Sequence, residues 1–380
     1  MKKSILSILL LAMFFTISCG KGDKTKVKRI KKNNKNVNTE KIKTEKSNLP
    51  DLKDETIIMN EDVFGKIIEL KGKSHPMDYI FRVSEIEMLL RGDLLILRTY
   101  NNKTPFIIFS LPDFKFVKGL GKFGEGPGEF RFPSFIDIKD NKSLFYIYEG
   151  VHEKVYSVDR EFKITECNNI FPNSRRRFGG KQISGLSIDD FYYVDRVKGG
   201  KAIFHYKKNN GKIFTTLFKH LSFSKKYRSP FAYIGYFAVN SRKKRVVYAY
   251  KKFKRIIIIN PENSKTRIIK FKKKILPDKK NILGPKNVTY YWGISAHSKY
   301  FYLLYSGRTP IQVGREFRTS NSYIFVEQFD WNGNPIRKFR LDHWGYFTVN
   351  DKEDMIYLTS VTDDPPFLTY ALPPLKKGKK

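Results

Sequence analysis

Residues 119–130 read GLGKFGEGPGEF, with five glycines within ten residues, and the first six match the phosphate-cradling pattern G-x-G-x-x-G. A phosphate site of that kind needs a parallel strand before the glycines and a helix N-terminus behind them, whose aligned N–H groups hold the anion. Here Gly126-Pro127-Gly128 and then Pro133 forbid such a helix, and no G-x-x-x-x-G-K-[ST] occurs in the chain. The stretch is therefore expected to be a structural turn built on Gly124, Gly126, Pro127 and Gly128. It joins an outer strand at 114–117 to an inner strand at 135–138.

Outward from this loop the chain shows no long apolar repeat of helical period. One pattern recurs instead: an apolar strand, a polar break, a second apolar strand, a turn and a third. Six copies can be laid out, beginning at Leu94, Leu144, Phe191, Val246, Tyr300 and Met355, about 50 residues apart. Turn residues follow the third strand of several copies, at Pro112-Asp113, Asn209-Asn-Gly211, Pro261-Glu-Asn263 and Trp331-Asn-Gly-Asn-Pro335. The last copy has no room for an outer strand before Pro373-Pro374. An open edge invites pairing with other chains, so residues 65–71, GKIIELK, are expected to supply that strand and close the ring. The fold class expected is all-β: a six-bladed β-propeller with four antiparallel strands per blade, closed by an N-terminal strand.

The loop and its flanks resemble the blade junction of NHL-repeat propellers, in which a glycine-rich turn runs into Phe, Pro and a strand ending in an acidic residue. The residues that carry the resemblance are Gly124-Glu-Gly-Pro-Gly128, Phe130, Pro133 and Ile136-Asp137, followed by Leu144–Tyr148 and Lys154–Asp159. Glu149 and Glu153-Lys154 stand where NHL blades favour Asp and Asn-x-x-Arg, and no ligand residue is carried over. With its N-terminus included, the whole chain resembles the TolB-like six-bladed propeller lipoproteins of Bacteroidetes.

That N-terminus has Lys2 and Lys3, an apolar run from Ile5 to Phe15, then Thr16-Ile-Ser18-Cys19. It reads as a secretory signal. A small residue before a cysteine resembles a lipoprotein signal, which implies that Cys19 becomes the acylated first residue of the mature chain. The run is too short to span a bilayer as a helix. Residues 21–53 hold twelve Lys or Arg against four Asp or Glu and no aromatic residue. The domains expected are a signal peptide at 1–18, a disordered basic tether at 19–54 whose lysines suit anionic headgroups or a soluble spacer equally, the propeller at 55–375 and a basic tail at 376–380. With Cys19 lipidated, Cys167 has no disulfide partner.

Aromatic residues make up 15% of the 380 residues, ample for a large β core. The net charge of +36 suggests an anionic partner, yet Lys, Asn, Ile, Phe and Tyr are abundant together, as an AT-rich genome would give. The lysines look scattered along the chain.

The six histidines stand singly, without H-E-x-x-H or a pair at metal-ligand spacing, and there is no G-x-S-x-G. The pairs Asp189-Asp190 and Asp363-Asp364 point to opposite faces of an extended chain, so neither makes an acid/base couple. No cofactor, metal or catalytic residue is assigned. Two groups are candidates for recognition. One is arginine: Arg308, Arg315 and Arg318 in a long insertion at 306–320, expected as a loop, with Arg175, Arg176 and Arg177 before the third copy. The other is the aromatic run Tyr290-Tyr291-Trp292. The function expected is a monomeric, non-catalytic, lipid-anchored scaffold of the cell envelope, on the outer membrane facing periplasm or cell surface. Its partner is a protein or a glycan, since export removes the chain from most nucleic acid. The alternative is a propeller lyase or hydrolase acting on sugar or peptide at the central channel.

Overall fold

The computed structural model describes Leu49 and residues 51–375, except 101, 127, 139, 141, 168–169, 172–179, 273 and 320. Cys19, most of the tether, Pro127, Arg175, Arg176, Arg177 and the tail at 376–380 lie outside the described residues.

The chain folds as a six-bladed β-propeller. Blade one is built from Glu87–Arg91, Leu94–Arg98, Phe106–Ser110 and Lys115–Leu120, and blade two from Pro133–Ile138, Phe145–Glu149, Lys154–Val158 and Ile164–Cys167. Blade three comprises Gln182–Ser187, Asp190–Val197, Gly200–Asn209 and Lys212–His220; blade four comprises Gly235–Asn240, Arg245–Tyr250, Arg255–Ile259 and Thr266–Phe271. Blade five has Thr289–Ala296, Tyr300–Arg308, Ile324–Asp330 and Pro335–Leu341, and blade six has Gly345–Val349, Met355–Ser360 and Phe367–Ala371. The first strands neighbour one another around the channel from blade one to blade six and back to blade one. In blades two and three these inner strands pair directly and in parallel, Ile136 opposite Ile183 and Ile138 opposite Gly185.

Second and third strands are continuous apolar runs because neighbouring blades cover both their faces, as Leu95-Ile96-Leu97 and Ile256–Ile259 show. The core is thus a ring of inter-blade layers. Phe130 fills the layer between blades one and two beside Phe106, Ile147 and Tyr156. That residue ends GLGKFGEGPGEF, whose backbone closes on itself through Gly124 N to Phe130 O (3.2 Å) and Glu129 N to Gly126 O (3.0 Å). Gly121 and Gly128 have φ of 78° and 76°. The loop is a bracket that seats Phe130.

Alternating strand direction gives the ring two ends. Turns between first and second strands, and between third and fourth, lie at one end. Blade junctions and the loops between second and third strands lie at the other, called here the mouth end. Asn210 and Gly211, with φ of 48° and 73°, make the two-residue hairpin turn that their sequence signals.

The segment before blade one departs from the expectation. Glu55–Met59 pairs in parallel with the outer strand of blade four, Glu55 opposite Arg267. Ile68–Leu70 pairs in parallel with the outer strand of blade five, and Lys73–His75 pairs antiparallel with Phe367–Ala371 as the fourth strand of blade six. Residues 65–71 therefore do not close the ring. Closure falls to the next strand, past Gly72, because Ile68–Leu70 is paired with the mouth-end half of the outer strand of blade five, Ile68 opposite Phe339 and Leu70 opposite Leu341. Leu52, read as tether, is 1% exposed in the core between blades four and five. Ordered structure thus begins before residue 55, and Asp54 accepts a hydrogen bond from Thr266 N at 2.8 Å. Thr266 starts an outer strand, so the chain at residues 54–55 meets the ring at the end opposite the mouth.

The insertion at 306–320 is also not a loop. Pro310–Arg318 is a helix, capped by Thr309 with Gln312 in a reciprocal capping box and with proline in its first turn.

Candidate functional site

At the mouth, single side chains from four blades converge. In blade one Arg98 spans to Glu87 (2.7 Å) and to the carbonyl of Glu85 (2.8 Å), and its guanidinium lies 4.4 Å from the ring centre of Tyr100. Glu87 also accepts from Phe135 N of blade two at 3.2 Å, which fixes it at the channel wall. Glu85, at φ 46°, is exposed beside them. Tyr236 of blade four and Tyr346 of blade six reach in from different sides of the ring, within electrostatic range of each other and of Glu85 and Arg98. Burial pushes the Tyr346 phenol up to about 12 and holds Tyr236 higher still, so both remain neutral donors.

The geometry that places these tyrosines is shared. Residues 235–240 read GYFAVN and residues 345–350 read GYFTVN. A Cβ at Gly235 would lie 2.3 Å from Ala249 O, and one at Gly345 would lie 2.3 Å from Thr359 O. Only glycine lets the inner strand approach the second so closely, and the tyrosine that follows turns into the channel. Ser184 bonds Val239 N (3.0 Å) and Ser295 bonds Val349 N (3.1 Å), so each GYF strand is tied in the same way to the preceding blade.

Lys251 follows the second strand of blade four. Its carbonyl accepts from Tyr290 N at 2.8 Å, and its ammonium sits 4.1 Å above the ring centre of Trp292. Trp292 in turn meets Trp344 edge to face at 5.4 Å. Lys252 donates to Thr289 at 3.2 Å, and Arg196 of blade three stacks over Phe231. Burial lowers the amines of Lys201, Lys251 and Lys252 to about 8 each. Among the described residues no carboxylate forms an ion pair with any of the three, whereas Lys181 nearby is held by Glu153 and Asp195. The mouth thus carries cations whose charge is undercompensated.

The wider mouth end corrects the impression of scattered lysines. The junction at 221–234 carries Lys225, Lys226 and Arg228 and no acid, and the junction at 272–288 carries six lysines and only Asp278. Tyr227 donates to Pro277 O at 3.0 Å, which ties the two loops into one rim. Burial lowers the Lys270 amine, and repulsion from Arg255 and Lys274 adds to it.

The residues singled out from sequence divide. Trp292 lines the mouth. Tyr290 and Tyr291 are buried, Tyr290 bonding Ile275 N (2.7 Å) and Ile275 O (3.1 Å), so their place is packing between blades. Arg308 is 9% exposed and committed to Glu316 and the carbonyl of Tyr323. Arg315 and Arg318 lie in the last turn of the helix, where cations favour the C-terminal dipole. Glu149, 0% exposed, accepts from Val151 N (3.1 Å) and His152 N (2.7 Å) and so shapes a turn of blade two. Lys201, Tyr236, Lys251 and Tyr346 were missed, although the repeated GYFxVN pointed to two of them. Among the described residues no three His, Cys, Asp or Glu side chains gather as a metal site, and no helix is long and apolar enough to cross a membrane.

Solved structures share this architecture. A member of the DUF4221 family from Bacteroides vulgatus aligns with a TM-score of 0.53 at 12% identity, covering 80% of this chain and 96% of that one. A Bacteroides fragilis protein described as exported gives a TM-score of 0.50 at 13% identity over 83% of this chain and 98% of its own. TolB from Acinetobacter baumannii is more distant, with a TM-score of 0.39 at 11% identity over 68% of this chain and 58% of that one. No curated protein matches the sequence. Likeness at these identities concerns the fold. The sequence itself matches the family model described as TolB-like 6-blade propeller-like over residues 62–352, most of the ring. The chain belongs to the TolB-like 6-blade propeller-like family.

Proposed function

We propose that this protein is a lipid-anchored binding module of the bacterial cell envelope that holds its channel mouth away from the membrane for a glycan or protein partner. The observation that carries this reading is the polarity of the ring. Asp54 enters beside Thr266 at one end, whereas Lys251, Trp292, Tyr236 and Tyr346 gather at the other. A tether of some thirty residues attached at Cys19 has a reach of about 30 Å as a flexible coil, enough to lift the ring off the headgroups. Lipidation there gives the firm attachment that a short apolar run cannot. A rigid scaffold with cations and aromatic rings at its open end recognises a partner without reacting with it.

Two measurements test the reading. Cys19→Ala should release the protein from membranes or leave its precursor unprocessed, and unchanged fractionation with unchanged acyl labelling contradicts the anchor. On zwitterionic supported bilayers, a dye at position 299, in a turn of the tether end, should be quenched by labelled lipid more than a dye at position 226. The reverse order contradicts the orientation.

A further inference from the structure

Resting on that reading of the mouth, we infer that the ligand is an acidic polysaccharide, a chain of carboxylate-bearing sugars that runs from the basic rim of blades three to five into the mouth. The rim supplies length. Its two junction loops, fastened by the Tyr227–Pro277 hydrogen bond, hold exposed Lys225, Lys226, Arg228, Lys279, Lys280 and Lys286 against one acid, Asp278. Cations crowded in this way repel one another, and a polymer with one charge per unit relieves several at once while releasing its counterions.

The mouth supplies chemical selectivity. Lys251 is held on the Trp292 face with Glu85 in electrostatic range but, among the described residues, in no ion pair, so an arriving carboxylate completes a pair that the fold leaves open. Around it stand neutral donors, the phenols of Tyr236 and Tyr346, beside the half-buried ring of Trp292. A sugar acid presents a carboxylate together with ring hydroxyls that accept from such donors, and apolar C–H faces that pack on aromatic walls. A DNA phosphodiester chain and an acidic peptide also offer acceptors to these donors, but each brings few hydroxyls per charge.

The test uses the full lipidated chain in detergent micelles with four probes: polygalacturonate, a neutral glucan, single-stranded DNA and polyglutamate. Binding is measured by calorimetry at two salt concentrations. Polygalacturonate should bind most tightly. The rim variant Lys225→Gln/Lys226→Gln/Lys279→Gln/Lys280→Gln should lose at least about tenfold in affinity and flatten the salt dependence. Lys251→Gln should lose about tenfold at a melting temperature no lower than that of the parent. Arg242→Gln/Lys299→Gln, exposed at the tether end, should stay within about twofold. The inference is overturned if the tether-end variant loses as much as the rim variant, or if DNA or polyglutamate binds as tightly with the same dependence on Lys251. A neutral glucan that binds as well as the acidic one, and is lost in Trp292→Ala, overturns the acidic class yet leaves the mouth as the binding face. Failure of every probe to bind counts against both.

Discussion

Blades four, five and six each carry an added strand on their outer edge, and blades one, two and three carry none. Glu55–Met59, Ile68–Leu70 and Lys73–His75 run in succession across the covered half, all in the sense of the outer strands. Side chains reinforce the ladder: Glu61 pairs with Lys254, Arg267 with Glu55, and Phe64 stacks edge to face on Phe329 at 5.3 Å. The bare half ends in Lys212–His220, whose Phe214 and Leu217 are 55% and 48% exposed. An unpaired edge with exposed apolar residues is a liability that charged residues such as Lys212 and Lys219 blunt. The contrast teaches that the segment before blade one is a working part of the ring, because the stretch of chain that builds blade six supplies only three strands.

The sharpest way to break the comparison is to remove single strands of this ribbon. Deleting residues 72–76 takes away the fourth strand of blade six and should lower the melting temperature by more than about 10 °C, several kcal/mol at the usual few degrees per kcal/mol. Deleting residues 55–59 removes a fifth strand from a blade already complete and should cost about half as much. Equal losses in thermal melts would show that closure has no special weight.

A smaller effect separates the halves by one side chain each. Phe64→Ala on the covered half empties a site 9% exposed and should destabilise by about 2–4 kcal/mol in denaturant titrations. Phe214→Ala on the bare edge should stay within about 0.5 kcal/mol. Comparable losses would mean that the edge of blade three is covered in solution.

How much of this was legible in the sequence follows the same physics. Strands buried on both faces, such as Val246–Tyr250, announce themselves as apolar runs, and with six of them the ring could be counted. Ile68–Leu70 and Lys73–His75 are three residues each, too short for any periodicity, so their assignment slipped by one strand. The helix at Pro310–Arg318 did carry a readable signal, Thr309 with Gln312 and Pro310, beneath what was read as a loop. The mouth was largely illegible because Arg98, Tyr236, Lys251, Trp292 and Tyr346 are far apart in sequence and join only when the ring closes. The basic rim likewise needs the bond from Tyr227 to Pro277, fifty residues apart.

A separate test concerns pH. Lys251, facing Glu85, Lys252 and Trp292, has its folded pKa lowered to about 8, below the ordinary value of 10.5, by burial first and by Lys252 next. Lys201, between Arg196 and Asp195, and Lys252 are lowered to about 8 as well. Between pH 8 and 10.5 the unfolded chain therefore holds protons that the native state has released, and stability rises with pH across that window. Melting temperatures from pH 7.5 to 9.5 should show this rise, shallower in Lys251→Met. A fall with pH, or the same slope in the variant, would contradict it.

Hydrogen exchange resolved to single amides tests most directly the claim that the segment before blade one pairs along the outer edge of the ring. In the full chain the outer strand of blade four, Thr266–Phe271, should show no alternation of fast and slow amides, because both its edges are paired. The outer strand of blade three, Lys212–His220, is paired on one edge only and should show fast exchange at alternate positions. Deleting residues 55–59 should make blade four exchange like blade three. If the two strands alternate alike in the intact protein, the N-terminal segment does not pair with the ring and the account fails.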